Sequence, residues 1–194
     1  MSWIYIAFTF FLIMDPVGNV SSFMKLVKDY PQKRQVFLAA REMLIVLAIM
    51  LFFYLMGEYV LRVLDISDTA ARLASGLVIF LGALHILFPT NDSPRSNLPK
   101  GEPYITPVAI PLLAGPALMG TVMLFAKIVP DHASMLFGIL GAWVVTSLIM
   151  LGAPKIYRLV GTNGLIACEK LMGMILVLIG IQRFMDGVKM FLAM

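Results

Sequence analysis

Charge is scarce in this chain: Asp, Glu, Lys and Arg make up 13% of its 194 residues, where a soluble domain carries roughly 25%. Hydrophobic residues make up 60%, and the mean hydropathy is +0.92. At a single-domain length, that is more apolar surface than one water-soluble core can hide. Cysteine occurs once, as Cys168, which excludes an internal disulfide, a thiolate metal cage and a two-cysteine redox pair. In its apolar surroundings it reads as an inert, packed thiol. Histidine is nearly as rare, with two in the chain. His85 and His132 lie near the ends of apolar runs, at no spacing that suggests a metal. There is no H-E-x-x-H motif and no Ser-His arrangement for nucleophilic catalysis. The 15 methionines do not form the clusters that a copper path needs. The start, Met1-Ser-Trp-Ile, has no basic region, and no A-x-A site follows the first apolar run, so a cleaved signal peptide is not expected.

What is present is a series of apolar runs near the ~20 residues that cross a bilayer. They predict an all-α, polytopic membrane protein with six spans at about 3–27, 35–56, 70–88, 105–129, 133–153 and 165–186. The net charge of +4 and the pI near 9.3 do not point to nucleic acid, because the basic residues sit at the ends of the runs, as topology signals do. Residues 89–104, rich in proline and polar side chains, read as a connector. A single membrane domain over 1–194 is expected, with one repeat at about 3–88 and a second at about 105–194.

Two runs carry a matched interruption. The first is Phe11-Leu-Ile-Met-Asp15-Pro16-Val-Gly18-Asn19-Val-Ser21-Ser-Phe23, and the second is Pro111-Leu-Leu-Ala114-Gly115-Pro116-Ala-Leu-Met-Gly120-Thr121. Laid over each other, Asp15-Pro16 falls on Gly115-Pro116 and Ser21 falls on Thr121. Spans 3 and 6 align more weakly, with Gly76 on Gly173. Three spans per half would turn the second half over in the membrane, giving two inverted three-helix repeats with broken helices 1 and 4. Lys and Arg are more numerous on the side of the 1–2, 3–4 and 5–6 linkers, which places both termini outside the cytoplasm.

Proline removes a backbone donor and glycine relaxes the dihedral limits. In lipid, each freed backbone group costs several kcal/mol unless protein, water or solute satisfies it, so a mid-membrane break should face a cavity. Each break also creates a half-helix N-terminus that attracts an anion such as a carboxylate. The candidate solute site is therefore Asp15, Pro16, Gly18, Asn19, Ser21, Ala114, Gly115, Pro116 and Thr121. Asp15 reads as the sole carboxylate near the centre of a span, where acids are functional candidates. With one such acid, intramembrane aspartyl chemistry, which needs two carboxylates at one site, is not expected. Asp15 is open to three roles: solute ligand, proton carrier, or cap of the half-helix that begins at Pro16. Arg41-Glu42 and Glu169-Lys170 read as interhelical ion pairs or anchors near the cytoplasmic face, and Arg72 reads as interfacial at the opposite face. Gly76, Gly138 and Gly173 read as helix-packing residues.

The segments Ile13-Met-Asp-Pro-Val-Gly-Asn19, Ala109-Ile-Pro-Leu-Leu-Ala-Gly-Pro116 and Ala167-Cys-Glu-Lys-Leu-Met-Gly173 resemble the MarC family of bacterial and archaeal membrane proteins, most of all its YhgN branch. The resemblance covers essentially the whole chain. It implies a six-span inner-membrane protein with no established enzymatic activity, similar to SnatA-type transporters of small neutral amino acids such as glycine and alanine. The family's signature residues fall here on Asp15, Pro16, Gly18, Asn19, Ala114, Gly115 and Pro116. Many members have glycine after the second Gly-Pro where this chain has Ala117, which implies a narrower or repositioned pocket.

The expectation is a non-enzymatic, multi-pass secondary transporter of a small neutral amino acid or similar metabolite, with proton coupling through Asp15. The alternatives are a structural or regulatory membrane protein, or a carrier of an unrelated solute. No cofactor, metal or nucleic acid is expected. The partners are the lipid bilayer and the solute, and a homo-oligomer is left open.

Overall fold

The computed structural model describes residues 2–88 and 113–193, and all its regular elements are helices. These are α1 (Trp3–Met14), α2 (Pro16–Val27), α3 (Gln32–Val63), α4 (Asp68–Leu87), α5 (Pro116–Ile128), α6 (His132–Leu151) and α7 (Ala153–Leu192). Taken together as one segment, α1 and α2 are long and apolar enough to cross a bilayer, as are α3, α4, α6 and α7 separately. The 13-residue α5 is the second half of the expected fourth span. The first half of that span and the connector at 89–104 lie outside the described residues.

Hydropathy locates the crossings but underestimates the helices. The second span, expected at 35–56, is helical over Gln32–Val63, about 48 Å at 1.5 Å per residue. A hydropathy window reports only the ~30 Å hydrocarbon layer, whereas helical hydrogen bonding continues into the headgroup region. The expected linker between spans 5 and 6 is likewise helical. Residues 153–160 form a short arm, and Gly161 breaks it from the membrane segment at φ 69, ψ 171. The arm buries Ala153 and Pro154 and exposes Lys155, Arg158 and Leu159, as suits a helix lying at an interface.

Local sequence explains most of the helix boundaries. Ser2 and Ser67 cap α1 and α4 by accepting from Ile4 N–H and Ala70 N–H. Asp131 caps α6 through Ala133 N–H and Ser134 N–H. Its bonds, that from the Ser134 hydroxyl foremost, hold the carboxyl below its ordinary value. The turn from α3 to α4 is a Schellman motif, with Asp65 at φ 51, Ile66 N–H on Leu61 O and Asp65 N–H on Arg62 O.

The most extensive helix pairing is between α4 and α7. It is antiparallel: Leu73 meets Gly187, Gly76 meets Phe184 and Gly180, and Ile86 and Leu87 meet Gly173. The backbones touch. A Cβ on Gly76 would lie 2.5 Å from Phe184 N, and one on Gly180 would lie 2.7 Å from Phe80 N. Small residues permit this contact, which dispersion between helices stabilises where lipid supplies no hydrophobic drive. At the end of α4, Lys170 Nζ donates to Ile86 O and Leu87 O at 2.8 and 2.5 Å, satisfying terminal carbonyls. Parallel to each other, α1 and α6 pack with Ile6 against Gly138 and Met14 against Thr146. Outward-facing Leu44, Leu55, Leu148, Leu171 and Leu178 are each at least 60% exposed, as a lipid-facing surface requires.

Replacing Gly180 with valine should therefore lower thermal stability in detergent by about 1–3 kcal/mol, through overpacking. Gly82 lies on the same α4, and a Cβ placed there would have nothing within 4 Å. Gly82→Ala should accordingly be neutral or stabilising by up to about 1 kcal/mol. Similar melting shifts for both variants would contradict the close α4–α7 contact.

Candidate functional site

The first break is a compact hydrogen-bonded device. Asp15 ends α1 in the left-handed region (φ 42, ψ 59), and its N–H falls on Phe11 O and Leu12 O at 3.2 Å. The same residue opens α2: its Oδ1 accepts Gly18 N–H at 3.2 Å, and Pro16 occupies the first helical position, where a missing N–H does no harm. Asn19 Nδ2 donates back to Met14 O at 2.8 Å, satisfying a carbonyl at the end of α1. In the run D-P-x-G-N, then, Asp serves the donors of the new helix and Asn an acceptor of the old one. Gly18 leaves room for both the Asp15 carboxylate and a neighbouring helix: a Cβ there would collide with Asp15 Oδ2 and lie 2.9 Å from Glu169 Cγ.

All of this lies inside the protein. Asp15 and Asn19 are each 1% exposed, and Pro16, Gly18 and Ser21 are buried with them. Asp15 is thus found in the capping role. Asn19, expected to reach a solute through its side chain, spends its amide N–H on the backbone. The Thr121 hydroxyl is likewise bound to its own helix, donating to Ala117 O at 2.7 Å.

The second break is built differently. Gly115 is extended (φ −81, ψ 172) and makes no side-chain capping bond to α5, which starts at Pro116. Ala114 is fully buried, Gly115 is half-buried and Pro116 is exposed. Residues flanking both breaks belong to one buried cluster, with Met14 and Val20 from the first and Leu113, Ala114 and Leu118 from the second. The flanks of the two breaks therefore share one core, to which Ala114 itself belongs, with the first break capped by a carboxylate and α5 without a side-chain cap among the described residues.

Three side chains depart from the sequence reading. Glu169 is no interfacial anchor: α7 lays it against Gly18, beside Asp15. Glu42 is fully buried, and among the described residues its ion pair is with the adjacent Arg41 (2.8 Å) rather than with another helix. Arg183, which lies near the outer end of the sixth expected span, is 5% exposed, stacked 4.4 Å from the Phe125 ring centroid and bonded to Tyr5 OH. Asp15 is therefore not the sole deep carboxylate, and a shortage of acids no longer speaks against paired-carboxylate chemistry. The one signal that pointed to Glu169 was its place in the Ala167–Gly173 run. Hydropathy misplaced it because an acid near the end of a window looks interfacial whichever way it faces.

Gly18→Ala should push the Asp15 carboxylate off Gly18 N–H. A lost cap costs about 0.5–2 kcal/mol, against up to about 1 kcal/mol regained from alanine's helix propensity. The melting temperature should fall slightly or hold. Asp15→Asn, a good cap that tolerates positive φ, should stay near wild type, whereas Asp15→Ala should be the least stable of the three. Equal stability of the Asn and Ala variants would exclude the capping role.

Comparison with known proteins agrees with this architecture. The sequence model of the MarC family of integral membrane proteins matches residues 1–192. The chain is 39% identical over 183 residues to the UPF0056 inner membrane protein YhgN of Escherichia coli K12, covering 93% of each. It is 38% identical over 179 residues to a UPF0056 membrane protein of Buchnera aphidicola subsp. Schizaphis graminum, covering 92% of this chain and 91% of the other. A UPF0056 membrane protein of Methanocaldococcus jannaschii is 29% identical over 188 residues, covering 92% of each. No solved structure matches. With the family's own model and these relatives spanning nearly its full length, the chain belongs to the MarC family of integral membrane proteins.

Proposed function

We propose that the protein is a secondary transporter of small neutral amino acids or closely similar zwitterions. The observation that carries this reading is the unequal treatment of the two breaks. The α2 N-terminus is already served by Asp15, while α5 begins at Gly115-Pro116 with no side-chain cap among the described residues. An uncapped helix start favours a carboxylate, through free N–H groups and the positive end of the dipole. Asp15 and Glu169, which meet beside Gly18, favour an ammonium group. Small residues at Ala114, Gly115, Ala117 and Gly120 suit a small solute. In this reading Asp15 combines capping with solute binding, and it is also the first candidate for proton coupling at the break.

The inverted repeat receives support from packing. The register that matches Gly76 with Gly173 also matches Leu87 with Phe184. The contact Gly76–Phe184 is thus exchanged for Gly173–Leu87, as a twofold relation between halves requires. The pairing of span 1 with span 5 (α1 with α6) likewise has its counterpart in that of span 2 with span 4 (α3 with α5). Alternating access would then be a rocking of one half against the other about the core between the breaks. The excess of Lys and Arg on the side of the 1–2, 3–4 and 5–6 linkers supports both termini lying outside the cytoplasm. The name of the Escherichia coli relative supports an inner-membrane location.

Purified protein in liposomes should take up labelled glycine or alanine above empty-liposome background, and the rate should respond to an imposed pH gradient. Asp15→Asn, which keeps a cap but removes the charge, should lose most of that flux while melting near wild type. A saturating solute at about 100 times its Kd should add about 2.7 kcal/mol of stability. Flux indistinguishable from background for both amino acids would reject this substrate class. Equal flux in wild type and Asp15→Asn would remove the carboxylate from the mechanism.

A further inference from the structure

Glu42 of α3 has no role in the transport reading above, yet it is the most thoroughly buried acid among the described residues, at 0% exposed. Its Oε1 accepts Arg41 Nε at 3.1 Å and Arg41 Nη2 at 2.8 Å. Its Oε2 is buried and has no hydrogen-bond partner among the described residues. Folded proteins seldom leave a buried charged oxygen unserved, because desolvation is then uncompensated.

Its depth follows from contacts of α6. Trp143 Nε1 donates to Met43 O at 2.7 Å, and Thr146, about one turn further along the same helix, meets Met14 S at 3.7 Å. Glu42 therefore lies within about one helical turn, ~5 Å, of the level of the first break. Among the described residues, the charged and titratable groups on α5 and α6, the helices that pack most against α3, are remote. On α5 and at the start of α6 these are Lys127, Asp131 and His132. They gather where Tyr54 OH meets His132 Nδ1 and where Gly57 meets Met123, roughly 18–22 Å along α3 from Glu42. Among the described residues Arg41 is the one charged neighbour the contacts give it, and Arg41 occupies only one of its oxygens. A metal cation would need several oxygen ligands, and no group of three acidic, His or Cys residues forms among the described residues. A proton needs a single oxygen.

We propose that Glu42 is a proton-binding site of this protein, with Oε2 as the atom that takes up and releases the proton. Uptake turns the Arg41–Glu42 ion pair into a neutral carboxyl beside the Arg41 guanidinium. Release restores the pair. The site is separate from Asp15 and sits on span 2, at the depth where the broken helices meet the core. It does not rest on any particular transported solute.

The test is an infrared pH titration of the full-length protein in lipid nanodiscs, with no solute added. Wild type should show a deuterium-sensitive carboxyl C=O band that grows as pH falls. Glu42→Gln should lose that band, while Asp15→Asn should keep it. Arg41→Gln, which leaves the carboxyl and removes its cation, should move the midpoint to higher pH by about one pH unit or more. This variant also decides the matter if Glu42→Gln fails to fold. A band unchanged in Glu42→Gln, a band lost only in Asp15→Asn, no titrating band at all, or an unmoved midpoint in Arg41→Gln would each overturn the proposal.

Discussion

Backbone groups in a membrane interior must find hydrogen-bond partners, and the first broken helix is shaped by that rule. Interrupting a helix in hydrocarbon frees carbonyls on one side and N–H groups on the other, each costing several kcal/mol if left bare. Here Asn19 serves Met14 O and Asp15 serves Gly18 N–H, so the break is closed by its own side chains. Burying a carboxylate to do this is itself costly, and the surrounding helices must exclude lipid while providing polar company. The placement of α6 and α7 against the break, through Thr146 at Met14 and Glu169 at Gly18, answers that demand.

Rigidity and latitude are divided unevenly across the molecule. The α4–α7 pair is held together by glycines in backbone contact and by Lys170 at the end of α4. Near the breaks, by contrast, Gly115 is extended, α5 starts without a side-chain cap, and Gly120 has open space where a Cβ would stand. In the transport reading proposed above, this division would supply a stiff frame and a middle whose polar groups can exchange partners with a solute.

Acidic groups occupy this interior more densely than hydropathy suggests. Asp15, Glu169 and Glu42 come from three different spans, and each acts in its own setting: a helix cap, a neighbour across Gly18, and a partner of Arg41. Arg183, buried on Phe125 near the opposite face, shows the same economy with a cation, whose charge is spread over aromatic faces instead of reaching water.

Much of this was legible in the order of residues, because the signals are local. Twenty-residue apolar runs announce membrane helices, Asp-Pro followed by Gly-Asn announces a capped restart, and recurring Gly76, Gly138 and Gly173 announce close packing. Composition and local pattern alone therefore determined the helical membrane class, the position of the breaks and the residues that surround them. Whether a side chain near a span end faces water or the core depends on the rotation and tilt of its helix against others, which no single segment encodes. That is why the burial of Glu42 and Arg183, the approach of Glu169 to Gly18, and the engagement of Asn19 and Thr121 with backbone were decided only when the helices packed.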